Sequence, residues 1–460
     1  MVTKEEIEKL KQDGNGALSQ LLSRVQDGTQ LAFILQNLGA LPKNFDGTVL
    51  LSYVNHPDHR IRFWVVKNLG KLEDIRYVET FIGVARQDSN SMVRREAVSS
   101  IGRMRDPRNI PALIDFLNDP DPKIVAQAIR GLLVFKGNTT VDTTLRRLVN
   151  HRNELIQQII YKEYFSTSSE KSQLPHPATH HFLKNVVVHG DVREVLRYVP
   201  ENSIHLTFTS PPYYNARDYS IYPSYKDYLE FLAGIFQEVL RVTKEGRFFV
   251  LNTSPIIIPR ISRQHSSKRY PIPFDIHPYL VEMGWEFIDD IVWVKPESSA
   301  KNRNAGFLQH RKPLAYKPNP VTEYLMVYRK KTDKLIDWNL KQYDWDTIEA
   351  SKVLGKYETS NVWLLDPKYD KEHSAVFPIE LCYRVIQYYS LRGDLVFDPF
   401  AGSGTVGHAA LNLGRHFFLT EIDLRYFQLI EKNLGGGDLF TPIKPRFLSL
   451  EKFVEIVSFE

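Results

Sequence analysis

Residues 395–423 read "LVFDPFAGSGTVGHAALNLGRHFFLTEID". The apolar runs Leu395–Asp398 and 417–421 have the character of short buried strands. Between them, Gly402 and Gly404 let the backbone turn tightly and approach a ligand closely. A helix is expected over 405–413, and its first N–H groups favour a carboxylate or phosphate over the turn. Glu421 follows Asp398 by 23 residues, at the end of the second strand, where a carboxylate can accept from both hydroxyls of a ribose. The pattern is strand, glycine turn, helix, strand, acid. A dinucleotide site is the competing reading, but the G-x-G-x-x-G order is missing.

Upstream, strands and helices alternate from Phe182 onward. The strands expected are 185–188, Ile204–Thr209, 247–252, 286–294, 323–328, Leu395–Asp398 and 417–421. Amphipathic stretches such as "DYLEFLAGIFQEVLRVT" and "PIELCYRVIQYYSL" lie between them. This spells an α/β sheet of seven strands with helices on both faces. The run Ile204–Thr209 ends in Ser210, Pro211, Pro212 and Tyr213. Proline cannot donate to a ladder, so both prolines must lie just past the strand's carboxyl end. In an open α/β sheet that edge is where ligands bind. Alone, the tetrad reads better as a strand-to-loop turn with Tyr213 as a packing residue.

The first 165 residues repeat. Leu38-Gly39, Leu69-Gly70 and Ile101-Gly102 recur at steps of 31 and 32 residues. Ile61, Val93, Ile124 and Ile156 keep the same register, the first three behind the polar turns "HPDHR", "DSNSM" and "DPDPK". A unit this short cannot bury its apolar face alone, so neighbours must stack into an α-helical solenoid. The pattern resembles HEAT-like repeats, four to five of them, which implies a protein partner or DNA on their surface. Residues 166–181, "STSSEKSQLPHPATHH", read as a linker.

Hydrophobic content of 43% and charged content of 25% are those of a globular protein. No run of about 18 apolar residues offers a membrane span, and the polar start "MVTKEEIEKLKQDG" is no secretory signal, so a cytoplasmic location is expected. Cys382 is the only cysteine, which excludes an internal disulfide and a cysteine-based zinc cluster. Neither His180-His181 nor any other spacing suggests a metal.

Taken together, "DPFAGSGT" and "SPPY" resemble the cofactor loop and catalytic tetrad of DNA amino-methyltransferases. The tetrad precedes the loop by almost 190 residues. That order is the circularly permuted one of the family's β group. The resemblance covers roughly 182–435 and implies a Rossmann-like seven-stranded sheet binding S-adenosyl-L-methionine. Cofactor contacts are implied for Asp191 of "HGD", for Thr209, for His373, Phe377 and Pro378 of "HSAVFP", for Asp398, Pro399, Phe400, Ala401, Gly402, Ser403, Gly404 and Thr405, and for Glu421. Ser210, Pro211, Pro212 and Tyr213 are implied as catalytic. The Ser210 hydroxyl and Pro211 carbonyl would accept from an exocyclic amine, and Tyr213 would stack on a flipped base. Serine in the first position favours cytosine N4, with adenine N6 as the alternative.

The domains expected are repeats over 1–165, a linker over 166–181 and a methyltransferase domain over 182–460, with target recognition inside 256–372. Within that last span, "KPESSAKNRNAGFLQHRKPLAYK" carries six basic residues against one acid: Lys295, Lys301, Arg303, Arg311, Lys312 and Lys317. They would contact phosphates of double-stranded DNA. Restriction-modification, with a cognate endonuclease, is the expected setting. The rival of another class is a repeat scaffold whose methyltransferase half no longer turns over, although neither motif shows damage.

Overall fold

The computed structural model describes all residues except 1, 13–15, 43–44, 166–175, 177, 215–221, 259–263, 265–267, 300–317, 319, 356, 368–376, 436–443 and 460. The chain divides into two compact units, Met1–Ser172 and Gln173–Glu460. Among the described residues no helix is long and apolar enough to cross a membrane.

In the first unit the repeat is visible in the helix caps. Helices His59–Lys71, Ser91–Arg103, Pro122–Leu133 and Glu154–Tyr164 begin at Asp58, Asn90, Asp121 and Asn153. Each of these side chains accepts a backbone N–H from the first turn, so the polar turns terminate the preceding segment and start the next helix. Three residues past each cap, Ile61, Val93, Ile124 and Ile156 are fully buried. Cap and core residue therefore recur as one unit. Glycines tighten the stack: a Cβ on Gly102 would lie 3.0 Å from the Gly131 Cα, so these two helix backbones touch.

The second unit is built on one sheet and a hairpin. Its strands are β1 (Val186–His189), β2 (Ile204–Thr209), β3 (Thr243–Thr253), β4 (Ile256–Ile258), β5 (Lys268–Tyr270), β6 (Trp285–Val294), β7 (Thr322–Lys330), β8 (Val362–Leu364), β9 (Leu395–Asp398), β10 (His416–Glu421) and β11 (Arg446–Ser449). The sheet order is β11-β1-β10-β9-β2-β3-β7-β6-β8, while β4 and β5 pair separately. β7 is antiparallel to both neighbours, and the other neighbours pair in parallel.

All seven expected strands are present and contiguous in this order. Among the described residues the expected seven become nine, because β11 and β8 add one strand at each edge. Both are only three or four residues long and present no alternation that a sequence pattern could register. In β3, β9 and β10 the side chains alternate between the two faces. Phe249, Leu251, Phe397 and Phe418 pack under one face with helices Tyr225–Val242 and Ile272–Met283. Val250, Val396, Phe417 and Leu419 pack under the other with helices Ile379–Tyr389 and Thr405–Asn412. Burial of both faces is what makes these strands nearly continuous apolar runs.

The connections leave β9 and β2 in opposite directions. β9 continues through Thr405–Asn412 to its neighbour β10, and β2 continues through Tyr225–Val242 to β3. Strands that are neighbours but diverge this way open a crevice at their carboxyl ends. The opposite ends are locked by a buried cluster in which Arg247 pairs with Asp394, and Tyr343 donates to the same carboxylate at 2.6 Å. His176, within the expected linker, packs on this unit: its ring lies 3.2 Å from the Glu245 carbonyl.

Candidate active site

The crevice is bordered by the two stretches that stood out in sequence. Thr209, the last residue of β2, donates its hydroxyl to the Asp398 carboxylate at the end of β9 at 2.6 Å. The Phe400 N–H donates to the same oxygen at 3.0 Å. Asp398 is 2% exposed, and burial raises its carboxyl to about 7 against two hydrogen bonds that favour the anion. Thr209 and Asp398, both expected to touch a ligand, thus face each other and fasten the glycine loop to the strand that carries the tetrad.

Past Asp398 the loop rides on β10. Thr420 donates its hydroxyl to the Pro399 carbonyl at 2.8 Å, and the Ala401 N–H reaches the Thr420 carbonyl at 3.1 Å. Gly402 and Gly404 have φ of 54° and 78°, a region that costs other residues strain. A side chain on Gly404 would also meet Ile430 at 3.0 Å. The Ser403 and Thr405 hydroxyls lie 3.0 Å apart at the start of helix Thr405–Asn412. Glu421 accepts the Gly402 N–H at 2.8 Å and the Asp423 N–H at 2.9 Å through different oxygens. Burial raises its carboxyl above the ordinary glutamate range. Each oxygen keeps a further lone pair. A carboxylate fixed by two backbone N–H groups beside a positive-φ loop suits a ligand rich in hydroxyls.

Other expected contacts sit differently. Asp191 caps helix Val192–Val195 through the Arg193 N–H at 2.9 Å and pairs with the Arg193 guanidinium. Burial raises its carboxyl, but those bonds outweigh it and leave it below its usual value. Phe377 stacks on Phe208 of β2, with centroids 4.9 Å apart, and Pro378 opens helix Ile379–Tyr389. His373 lies outside the described residues, as do Lys301, Arg303, Arg311, Lys312 and Lys317.

Beyond Thr209, Pro211 is buried while Ser210, Pro212 and Tyr213 are half-buried. The tetrad is held from the β3–β7 side. Asn252 Nδ2 lies 3.3 Å from Ser210 Oγ, 3.4 Å from the Tyr213 hydroxyl and 2.6 Å from Glu323 Oε2. The Tyr213 hydroxyl also donates to Glu323 Oε2 at 3.2 Å, and burial, with that carboxylate beside it, raises the phenol well above its ordinary value. Lys295 pairs with the other Glu323 oxygen and lies 4.5 Å from the Trp293 ring centroid. Asn252 and Glu323 were not singled out in the sequence. Their signal is a polar side chain near a strand end in "FFVLNTSP" and "VTEYLMVY", visible only once the strand ends are known to meet.

Residues 204–432 match a family model of N6/N4 DNA methylases, and residues 47–134 and 78–162 match HEAT repeats. Type II methyltransferase M.ScaI of Streptomyces caespitosus is 30% identical over 243 residues, 50% of this chain and 74% of the relative. Type II beta methyltransferase M.BslI of a Bacillus species is 28% identical over 253 residues, which is 53% of this chain but 27% of that longer protein. TTHA0409 of Thermus thermophilus, crystallised with S-adenosyl-L-methionine, is 25% identical with a TM-score of 0.47, covering 58% of this chain and 98% of its own. With a glycine loop and an SPPY tetrad side by side on one sheet edge, and M.ScaI 30% identical over 74% of its length, the chain belongs to the N6/N4 DNA methylase family.

Proposed function

We propose that this chain methylates an exocyclic amine of a base in double-stranded DNA, using S-adenosyl-L-methionine, and that the base is cytosine, modified at N4. The supporting observation is the 2.6 Å bond between Thr209 and Asp398, which brings the glycine loop and the tetrad to one crevice. S-adenosyl-L-methionine bound over the loop would supply an electrophilic sulfonium methyl. Glu421 would hold its ribose hydroxyls.

The work of the protein is then on the amine. Its lone pair is delocalised into the ring, which makes the nitrogen a poor nucleophile. Ser210 Oγ and the Pro211 carbonyl accept its two hydrogens and favour the tetrahedral nitrogen over the planar one, so they act more strongly in the transition state than in the ground state. Tyr213 supplies a ring against the extruded base. The rigid proline backbone fixes the direction of approach. Serine can accept from the amine and still donate to the adjacent ring nitrogen, an edge that cytosine and adenine both present; the choice of N4 rests on the resemblance of a serine-led tetrad to the cytosine-N4 pattern. The basic residues Lys301, Arg303, Arg311, Lys312 and Lys317 neutralise phosphates. The repeats over 1–165 bind a protein partner or flanking DNA. A restriction-modification role with a cognate endonuclease is in keeping with the type II relatives. The test is Ser210→Ala with Tyr213→Ala: both should lose nearly all methyl transfer to duplex DNA with cofactor affinity near the parent's. Loss of cofactor binding in folded variants would contradict the roles assigned.

A further inference from the structure

The polar cluster behind the tetrad has a direction built into it. Glu323, whose side chain is 15% exposed, offers only acceptors, and both of its oxygens are engaged. One pairs with Lys295; the other accepts from Asn252 Nδ2 at 2.6 Å and from Tyr213. An amide beside a carboxylate must present its NH2 to it, so Glu323 sets which way the Asn252 amide points. Asn252 is 1% exposed, and its Oδ1 has no partner among the described residues. In this orientation the NH2 donates to Ser210 Oγ at 3.3 Å.

That choice decides what Ser210 can do. Accepting from Asn252 occupies one lone pair of the hydroxyl. The other is left for an incoming N–H, and the hydroxyl remains a donor of its proton, with the Tyr213 oxygen beside it as the acceptor that a substrate ring nitrogen would replace. With the amide reversed, Oδ1 would face Ser210 and take that proton. We propose, resting on the reading above, that Glu323 is a positioning residue that holds Ser210 in the acceptor-plus-donor state through Asn252, and that Lys295 serves this ion pair instead of a DNA phosphate.

The experiment compares Glu323→Gln, Lys295→Met and the charge-neutral double variant in the full chain. It measures kcat at saturating DNA, cofactor dissociation constant, Tm, and the salt dependence of DNA binding. Glu323→Gln should lower kcat by about 10- to 100-fold, the scale of one or two charge-assisted hydrogen bonds, with the cofactor dissociation constant within about twofold. Lys295→Met should lower kcat and leave the log–log salt slope unchanged, whereas removing a phosphate-binding charge would reduce the slope by about 0.9. The double variant should recover the Tm lost by Lys295→Met without recovering kcat. Recovery of both would reduce the pair to a structural ion pair and overturn the inference. A Lys295→Met slope reduced by about one, with kcat intact, would overturn it as well. An active parent matched by Glu323→Gln sinks this inference alone; an inactive parent sinks the function reading and this inference with it.

Discussion

Replacing Thr209 with valine keeps the shape of the side chain and removes its hydroxyl from Asp398. That hydroxyl stabilises a fully buried carboxylate, to which the Phe400 N–H also donates. With a folded pKa near 7 against an ordinary value of 3.8, Asp398 binds more protons in the folded than in the unfolded chain between those values. Its contribution to stability is therefore full below about pH 4 and is lost as pH rises toward 7, on the order of 1.4 kcal/mol per pH unit. Removing the Thr209 donor raises the folded pKa further and extends the loss to higher pH. At pH 8.5 the variant should cost about 2 kcal/mol, the scale of a hydrogen bond to a charged group, and at pH 5.5 about 1 kcal/mol or less, because Asp398 is then protonated in both proteins. Urea unfolding followed by tryptophan fluorescence reads the relevant unit, since Trp285, Trp293, Trp338, Trp345 and Trp363 lie in it and only Trp64 lies in the other. A cost equal at the two pH values, or larger at pH 5.5, would refute the coupling.

Glu421→Gln should weaken cofactor binding by roughly 1–3 kcal/mol, since an amide cannot accept through both of its terminal atoms; calorimetry giving an unchanged dissociation constant would remove Glu421 from the cofactor site. Neutralising Arg303, Arg311 and Lys312 together should weaken DNA binding and flatten its salt dependence by about 0.9 for each phosphate no longer neutralised. Parental affinity and slope in filter binding would make that segment a solvated loop.

The fold was legible where sequence constraint was strongest. Central strands buried on both faces are rich in β-branched and aromatic residues, and Ile204–Thr209 and Leu395–Asp398 were bounded to the residue by that signal and by the proline that follows each. The solenoid was legible because each repeat needs a cap and a core residue at fixed spacing, as at Asp121 and Ile124. The edge strands were not, since Val362–Leu364 and Arg446–Ser449 take their structure from a neighbour. In the site, the glycines and prolines declared themselves through backbone demands that hold in any context. Side-chain partners did not. Asp191 bonds Arg193 two residues away, Thr209 turns to a residue 189 positions distant, and Lys295 meets Glu323 across two strands. The last two choices are fixed by the register between strands, which composition and spacing do not carry.

The central claim is that the crevice between β2 and β9 methylates a DNA base amine. Nucleoside mass spectrometry of DNA from a methylation-free host expressing this chain tests it most directly. The account predicts new N4-methylcytosine, absent when Ser210→Ala is expressed instead. New N6-methyladenine without N4-methylcytosine would overturn the choice of base, and DNA with neither, from cells holding folded protein that binds S-adenosyl-L-methionine, would contradict the claim itself.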